Sequence, residues 1–346
     1  WNQVGSNTNV WRMRALCAPK DAAGTPQLIY YEVGVNGFLG GVFGKGLNDN
    51  IRLAYEWLVE NYNDGDEIYI FGFSRGAYTA RSLAGLIAKM GVLKPGSPIG
   101  ITQLYERYKR GDEETIWKLA DMQAAGDTQN LTTEERWMLK YSQRADVKMV
   151  GVWDTVGSLG LKAFSIEGIS RSTFDWLETG LRIHILSGYH ALAVDEHRGD
   201  FDPTLWTVRH PKDPKAVVAA PRPISNVEQR WFVGAHANVG GGYATDLLAQ
   251  APLQWIMKKA QSQGLAFRSG VDLDGDALSA PLADSYTEFA YGLYSLITKP
   301  SFRVIGQEPN VRDNGTHVNV NETIDGSVFD RWRHDPSYRP RNLVEW

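Results

Sequence analysis

The stretch Glu67-Ile68-Tyr69-Ile70-Phe71-Gly72-Phe73-Ser74-Arg75-Gly76 constrains the fold more than any other part of the chain. An apolar run of strand character reaches a serine bracketed by two glycines, and Arg75 to Met90 then mixes small and apolar residues as a buried helix does. Strand, sharp turn and helix around G-x-S-x-G is the setting a nucleophile elbow requires. Gly72 and Gly76 are expected to be glycine because side chains there would clash in the strained turn. Ser74 Oγ would stand above a sheet at a helix N-terminus, where developing negative charge is favoured, and the backbone N–H of Arg75 is the natural first oxyanion donor.

The surrounding pattern extends this to a parallel sheet. Leu28 to Val35 reads as a strand, rich in β-branched and aromatic residues. A glycine-rich loop with Gly37, Gly40, Gly41, Gly44 and Gly46 follows, and Asn48 or Asp49 is expected to cap a helix with Ile51, Ala54, Trp57 and Leu58 on one face. Val147 to Trp153 and Gln229 to Gly234 read as further strands. Arg182 to Leu186 reads as a short strand or a helix start, and Asp246 to Gln261 as a helix. Pro203 to Pro223 reads as loop. This alternation predicts the α/β class: an α/β-hydrolase with a mostly parallel central sheet, helices on both faces and helical insertions. One domain is expected over residues 1–346. It carries a helical insertion at about 101–146, either packed on the body or forming a lid, and an irregular insertion at about 264–325.

A serine nucleophile needs a base, and the base an orienting acid. All seven histidines lie downstream of Ser74. In α/β-hydrolases the chain order is Ser, then Asp or Glu, then His, each just past a strand. Asp154 directly follows the run Val147 to Trp153, and His236 follows Trp231-Phe232-Val233-Gly234-Ala235, so these two are the candidates. Asp195 is the reserve acid and His317 the reserve base. His184, His190 and His197 lack a clear preceding strand, and His210 is flanked by prolines and charges.

Trp1-Asn2, Thr8-Asn9-Val10, Gly72-Phe73-Ser74-Arg75-Gly76-Ala77-Tyr78-Thr79-Ala80-Arg81, Gly151-Val152-Trp153-Asp154-Thr155-Val156-Gly157 and His236-Ala237-Asn238-Val239-Gly240-Gly241-Gly242-Tyr243 together resemble the DUF2235 family. That family includes the catalytic domains of Tle1-type phospholipase effectors of bacterial type VI secretion. The likeness runs from residue 1 to about residue 260, with a weaker echo at Ser327-Val328 and Tyr338 to Leu343. It implies an α/β-hydrolase fold and ester hydrolysis by a Ser-Asp-His triad, which falls on Ser74, Asp154 and His236. The family usually shows Asp-Gly-Thr before Trp-Asn, a turn not in this sequence, so the resemblance names no second oxyanion donor. Asn238 stands where the family often has Asp. The membrane-docking modules of those effectors need several hundred further residues and are not expected within these 346.

Other signals point to no further chemistry. Gly40-Gly41-Val42-Phe43-Gly44-Lys45-Gly46 lacks the spacer of a phosphate loop and reads as an active-site wall or a surface loop. Asp272 to Asp276 misplaces the glycine of a calcium loop and reads as a solvated turn. His190 and Asp195-Glu196-His197 fail the spacing of a zinc motif, and the family likeness favours a buried network there with Arg198. No metal or cofactor is expected. A single cysteine, Cys17, allows no internal disulfide. A net charge of −4 without a basic block argues against nucleic acid, and no apolar run is long enough to span a membrane. The expected partner is a small-molecule or lipid ester, with transient contact to a membrane surface compatible with it. Bacterial cytoplasm and secretion both stay open. A non-catalytic module that keeps the fold would leave Ser74, Asp154 and His236 apart, whereas an esterase brings them within hydrogen-bond reach.

Overall fold

The computed structural model describes residues 8–33, 43–110, 113–156, 184–210, 212, 223–243, 246–288, 295, 298–306, 310–312 and 315–344. Five strands form its central sheet: β1 (Ile68–Phe73), β4 (Val147–Trp153), β5 (Gly188–Ala193), β7 (Val227–Phe232) and β10 (Glu322–Ile324). They lie in the order β1-β4-β5-β7-β10, and every neighbouring pair is parallel. β4 is buried nearly throughout because apolar side chains leave it on both faces.

Helices cover each face. On one side lie α2 (Phe43–Asn61) and α3 (Arg75–Met90), with Ile51, Tyr55, Ala84, Leu86 and Ile87 buried against Ile70, Val150 and Val152. On the other lie α1 (Asn9–Leu16) and α8 (Gln250–Gln261), where Met13, Leu253 and Ile256 pack on Met149, Trp153 and Tyr189. The architecture is therefore α/β, as the strand–helix rhythm predicts. The helical stretch at 101–146 consists of α4 (Ile101–Arg110), α5 (Ile116–Ala124) and α6 (Thr133–Tyr141). Leu104, Tyr105, Tyr108, Leu119 and Met138 join the same apolar cluster as α2 and α3. Buried Arg107 ties these helices together through Glu113 at 2.8 Å and Glu134 at 3.0 Å.

Several expectations fail for identifiable reasons. Leu28 to Val33 is not a strand: no backbone ladder forms, and Leu28 and Val33 are 64% and 63% exposed. Its aromatic residues instead lie across helices, Tyr30 on Trp57 of α2 and Tyr31 beneath Arg14 of α1. Asn48 and Asp49 do not cap α2, which begins at Phe43; Asn48 accepts a hydrogen bond from Tyr105 and Asp49 pairs with Arg52. Of the stretch Arg182 to Leu186, Arg182 and Ile183 lie outside the described residues; Ile185 bridges Val147, and the ladder strand of the central sheet is β5, just beyond it.

Within the proline-rich stretch, Thr207–His210 forms β6, which pairs antiparallel with β9 (Gly315–Asn319); β9 in turn pairs with β8 (Asn310–Arg312). The 264–325 stretch thus supplies strands, including β10 of the central sheet. Two short strands without a sequence signal, β2 (Val92–Leu93) and β3 (Ser142–Gln143), pair antiparallel. α8 starts at Gln250, not Asp246. Trp1-Asn2, Gly37, Gly40 and Gly41 lie outside the described residues.

Strand register sets the positions that follow the sheet. Phe73 lies opposite Trp153, and Trp153 opposite Ala191. Ser74 N–H accordingly donates to Trp153 O at 3.0 Å, and Asp154 N–H to Ala191 O at 2.7 Å. The two residues leave neighbouring strands at the same level. The elbow's glycines are not equivalent: a Cβ on Gly72 would stand 2.3 Å from Gly76 O, whereas one on Gly76 would meet nothing within 4 Å. Only Gly72 is sterically required. Gly72→Ala should therefore lower stability by about 2–4 kcal/mol, since backbone must shift. Gly76→Ala, in the first turn of α3, should leave the melting temperature unchanged or slightly raised. Thermal unfolding of the two variants reads the difference.

Candidate active site

Ser74 has φ 58° and ψ −123°, a conformation that L-residues rarely hold. It is half-buried, while Arg75 and Gly76 behind it are exposed. α3 starts at Arg75, so the helix N-terminus lies directly behind the hydroxyl. Asp154 also leaves its strand with a positive φ, 39°. Two consecutive sheet positions thus carry a strained residue immediately past the last ladder bond.

His236 opens the short helix α7 (His236–Gly240) after β7. Its Nε2 lies 2.8 Å from Ser74 Oγ, and its Nδ1 lies 2.5 Å from Asp154 Oδ2. The three residues singled out from strand ends are therefore joined in one hydrogen-bonded row. The imidazole is 1% exposed and packs between Phe73, at 4.6 Å between ring centroids, and Phe201, at 5.1 Å. Gly240 makes the first contact possible, because a Cβ there would fall 2.0 Å from the Phe73 ring. With Asp154 as an anion, Nδ1 carries the proton and Nε2 accepts from the hydroxyl.

Asp154 has no exposed surface, and its carboxylate is fully coordinated. Oδ1 accepts from Ala193 N–H at 3.0 Å and from Arg303 at 2.6 Å; Oδ2 accepts from Arg303 at 2.9 Å as well as from His236. Burial pushes such a carboxyl toward the protonated form. The Arg303 charge, followed by the hydrogen bond from His236, outweighs it and holds Asp154 well below the ordinary carboxylate range. Arg303 lies in the 264–325 stretch, whose pattern predicts an irregular insertion and no site residue. Its signal was a lone arginine flanked by Phe302, Val304 and Ile305, the setting of a buried cation that needs a partner.

The Asp195-Glu196-His197-Arg198 stretch forms a support. Glu196 and Arg198 make a buried two-pronged pair, both contacts at 2.8 Å. Glu196 Oε2 also accepts from His236 N–H at 3.2 Å and Ser285 Oγ at 3.0 Å. Burial raises the Glu196 pKa, but hydrogen bonding to Arg198 and its charge prevail and bring it to about 2. His190 Nε2 accepts from Thr155 N–H at 3.0 Å, fixing the turn after β4; burial, then the Arg81 charge, depresses its pKa to about 3 and keeps it neutral. Asp195, the reserve acid, instead accepts from Gly234 N–H and Tyr338 Oη. His317, the reserve base, sits in β9, opposite Arg209 of β6. Asn238 holds the loop as an amide, accepting from Ala235 and Ala283 N–H and donating to Asp246.

Among the described residues no group of three or more His, Cys, Asp and Glu side chains could hold a metal ion, and no helix is long and apolar enough to cross a membrane. Asp274 merely caps the turn at Gly275–Leu278. A cavity of about 70 Å³ lined by Arg81, Val150, Gly188, Trp206 and Val227 lies toward the strand starts, away from the strand ends that carry Ser74, Asp154 and His236.

A parallel sheet with a serine in a strained turn at one strand end, and an aspartate and a histidine past two others, has the α/β-hydrolase fold. Residues 1–259 match the family of type VI secretion system phospholipase effectors, Tle1-like, catalytic domain, and the chain belongs to that family. It is 27% identical over 222 residues to the uncharacterized protein YEL023C of Saccharomyces cerevisiae, a match covering 58% of this chain and 30% of that protein. Among solved structures, an uncharacterized protein from Pseudomonas aeruginosa is 19% identical, over 65% of this chain and 28% of that one, with a TM-score of 0.34. The Tle1 effector bound to the VgrG spike of the type 6 secretion system is 17% identical, over 71% and 42%, also with a TM-score of 0.34. The chain thus spans less than half the length of each of these three proteins.

The Glu196–Arg198 pair carries a pH signature. Glu196 has its pKa lowered from 4.5 to about 2 on folding, so its ionised form stabilises the fold above about pH 4.5, and that stabilisation is lost as pH falls toward 2. Wild type should melt well above Glu196→Gln at pH 6, with the gap closing between pH 4.5 and 2. Paired melting curves across that range test it.

Proposed function

We propose that the chain is a serine hydrolase of carboxylic esters, acting on lipid or phospholipid acyl esters through an acyl-enzyme. The observation that carries this reading is the continuous row Ser74 Oγ–His236–Asp154, with separations of 2.8 and 2.5 Å, assembled at three strand ends. Family membership supports the lipid class.

In this reading His236 Nε2 takes the Ser74 proton as Oγ bonds to the ester carbonyl carbon. Asp154 holds the Nδ1–H tautomer and stabilises the imidazolium. The oxyanion is stabilised at the N-terminus of α3, with Arg75 N–H as a donor. Collapse breaks the carbon–oxygen bond to the alcohol, which leaves with the proton from Nε2 and so restores neutral His236. Water then loses a proton to Nε2 and attacks the acyl-serine carbonyl. Ser74 departs, takes back a proton from Nε2, and a carboxylic acid is released. We further read residues 1–346 as one hydrolase unit, with α4–α6 packed on its body.

The test is hydrolysis of a p-nitrophenyl ester series and of phosphatidylcholine vesicles by wild type, Ser74→Ala and His236→Ala. Each substitution should lower kcat by about 10⁴-fold or more, and long acyl chains should be preferred to short ones. Hydrolysis unchanged in Ser74→Ala rules the mechanism out. A preference for short chains removes the lipid assignment and leaves a small-ester or polyester hydrolase.

A further inference from the structure

Asp154 is held from two sides. His236 takes one lone pair of Oδ2, while the guanidinium of Arg303 spans both oxygens at 2.6 and 2.9 Å. Arg303 is itself pinned, because its two terminal nitrogens also donate to Ala193 O at 2.8 Å and Phe201 O at 2.5 Å. The first carbonyl ends β5, and the second belongs to the residue whose ring packs on His236. The fork is therefore fixed to the sheet and to the wall of the imidazole pocket at once, and it is buried at 4% exposure. It also lies beyond residues 1–259, the stretch matched by the family.

We propose that Arg303 is a positioning residue of the active site, clamping Asp154 in its ionised form and in the one orientation that presents Oδ2 to His236. The proposal rests on the hydrolase reading above. A carboxylate with no exposed surface has two ways to fail: it can take up a proton, or it can turn so that neither oxygen faces Nδ1. A planar, permanently charged fork opposes both, and a lysine would oppose only the first.

The charges around the imidazole give the sign of the effect. Asp154 faces Nδ1, Glu196 accepts from the His236 backbone N–H, and Arg198 neutralises Glu196. Arg303 bears on Asp154 and feels the charges of Glu196 and Asp202 as well, and neutral His190 feels the charges of both Asp154 and Arg303. Removing the Arg303 charge lets burial protonate Asp154 at a higher pH. A protonated Asp154 no longer orients or supports the general base, so the acid limb of the rate profile moves upward.

The experiment measures kcat and KM for a p-nitrophenyl ester from pH 4 to 9 in wild type, Arg303→Met and Arg303→Lys. It is paired with melting of Asp154→Asn, Arg303→Met and the double variant. In Arg303→Met the acid limb of kcat/KM should rise by about one pH unit or more, and kcat should fall about tenfold or more with KM within about twofold. Arg303→Lys, which keeps the charge and loses the fork, should keep the wild-type limb but lose kcat severalfold. Arg303→Met with the wild-type limb overturns the proposal, as does Arg303→Lys with wild-type kcat; the lysine variant decides if the methionine variant does not fold. Absence of Ser74-dependent hydrolysis in wild type defeats the hydrolase reading instead. The clamp is then judged by melting: a double variant more stable than Asp154→Asn supports it, because the single change strands a buried guanidinium, and one no more stable overturns it.

Discussion

A carboxylate removed entirely from water is the constraint around which this molecule is arranged. An isolated charge in such a place would cost many kcal/mol, and proteins avoid that cost by protonation or by surrounding the charge with donors. Asp154 meets the requirement with Ala193 N–H from β5, His236 from the first residue of α7, and both prongs of Arg303 from a segment 149 residues further on. Three segments far apart in sequence must converge before the carboxylate is tolerable in the core. The fold and the chemistry of the site therefore share one requirement.

The parallel sheet makes that convergence possible. With Phe73 opposite Trp153 and Trp153 opposite Ala191, the ladder delivers Ser74 and Asp154 at one level. Both then turn sharply, with φ of 58° and 39°. Each turning residue is tied to the sheet by its own N–H, Ser74 to Trp153 O and Asp154 to Ala191 O. Strain at these two residues redirects side chains that a regular strand would have sent to one face of the sheet.

Much of this was legible in the sequence where local signals were strong. β1 and β4 are mostly apolar runs and β7 closes on Trp231-Phe232, and each ends one to four residues before Ser74, Asp154 or His236. β5 was missed because Gly188-Tyr189-His190-Ala191-Leu192-Ala193 contains small residues that pack well in a crowded centre but carry little strand propensity. β10 has only three residues and is a strand because β7 offers it an edge. Leu28 to Val33 shows the converse: high strand propensity without a partner strand yields no ladder. Arg303 depends on tertiary placement alone, since its role exists only once Asp154, Ala193 and Phe201 surround it.

The direction of synthesis gives the late position of Arg303 a further meaning. A chain emerging from the ribosome exposes Ser74, Asp154 and His236 long before residue 303, so the strands carrying all three can pair while the guanidinium is still unmade. Until it arrives, Asp154 must stay in contact with water or carry a proton. The nascent protein can thus hold all three of these side chains and still lack the counter-charge that lets its centre dry out and close.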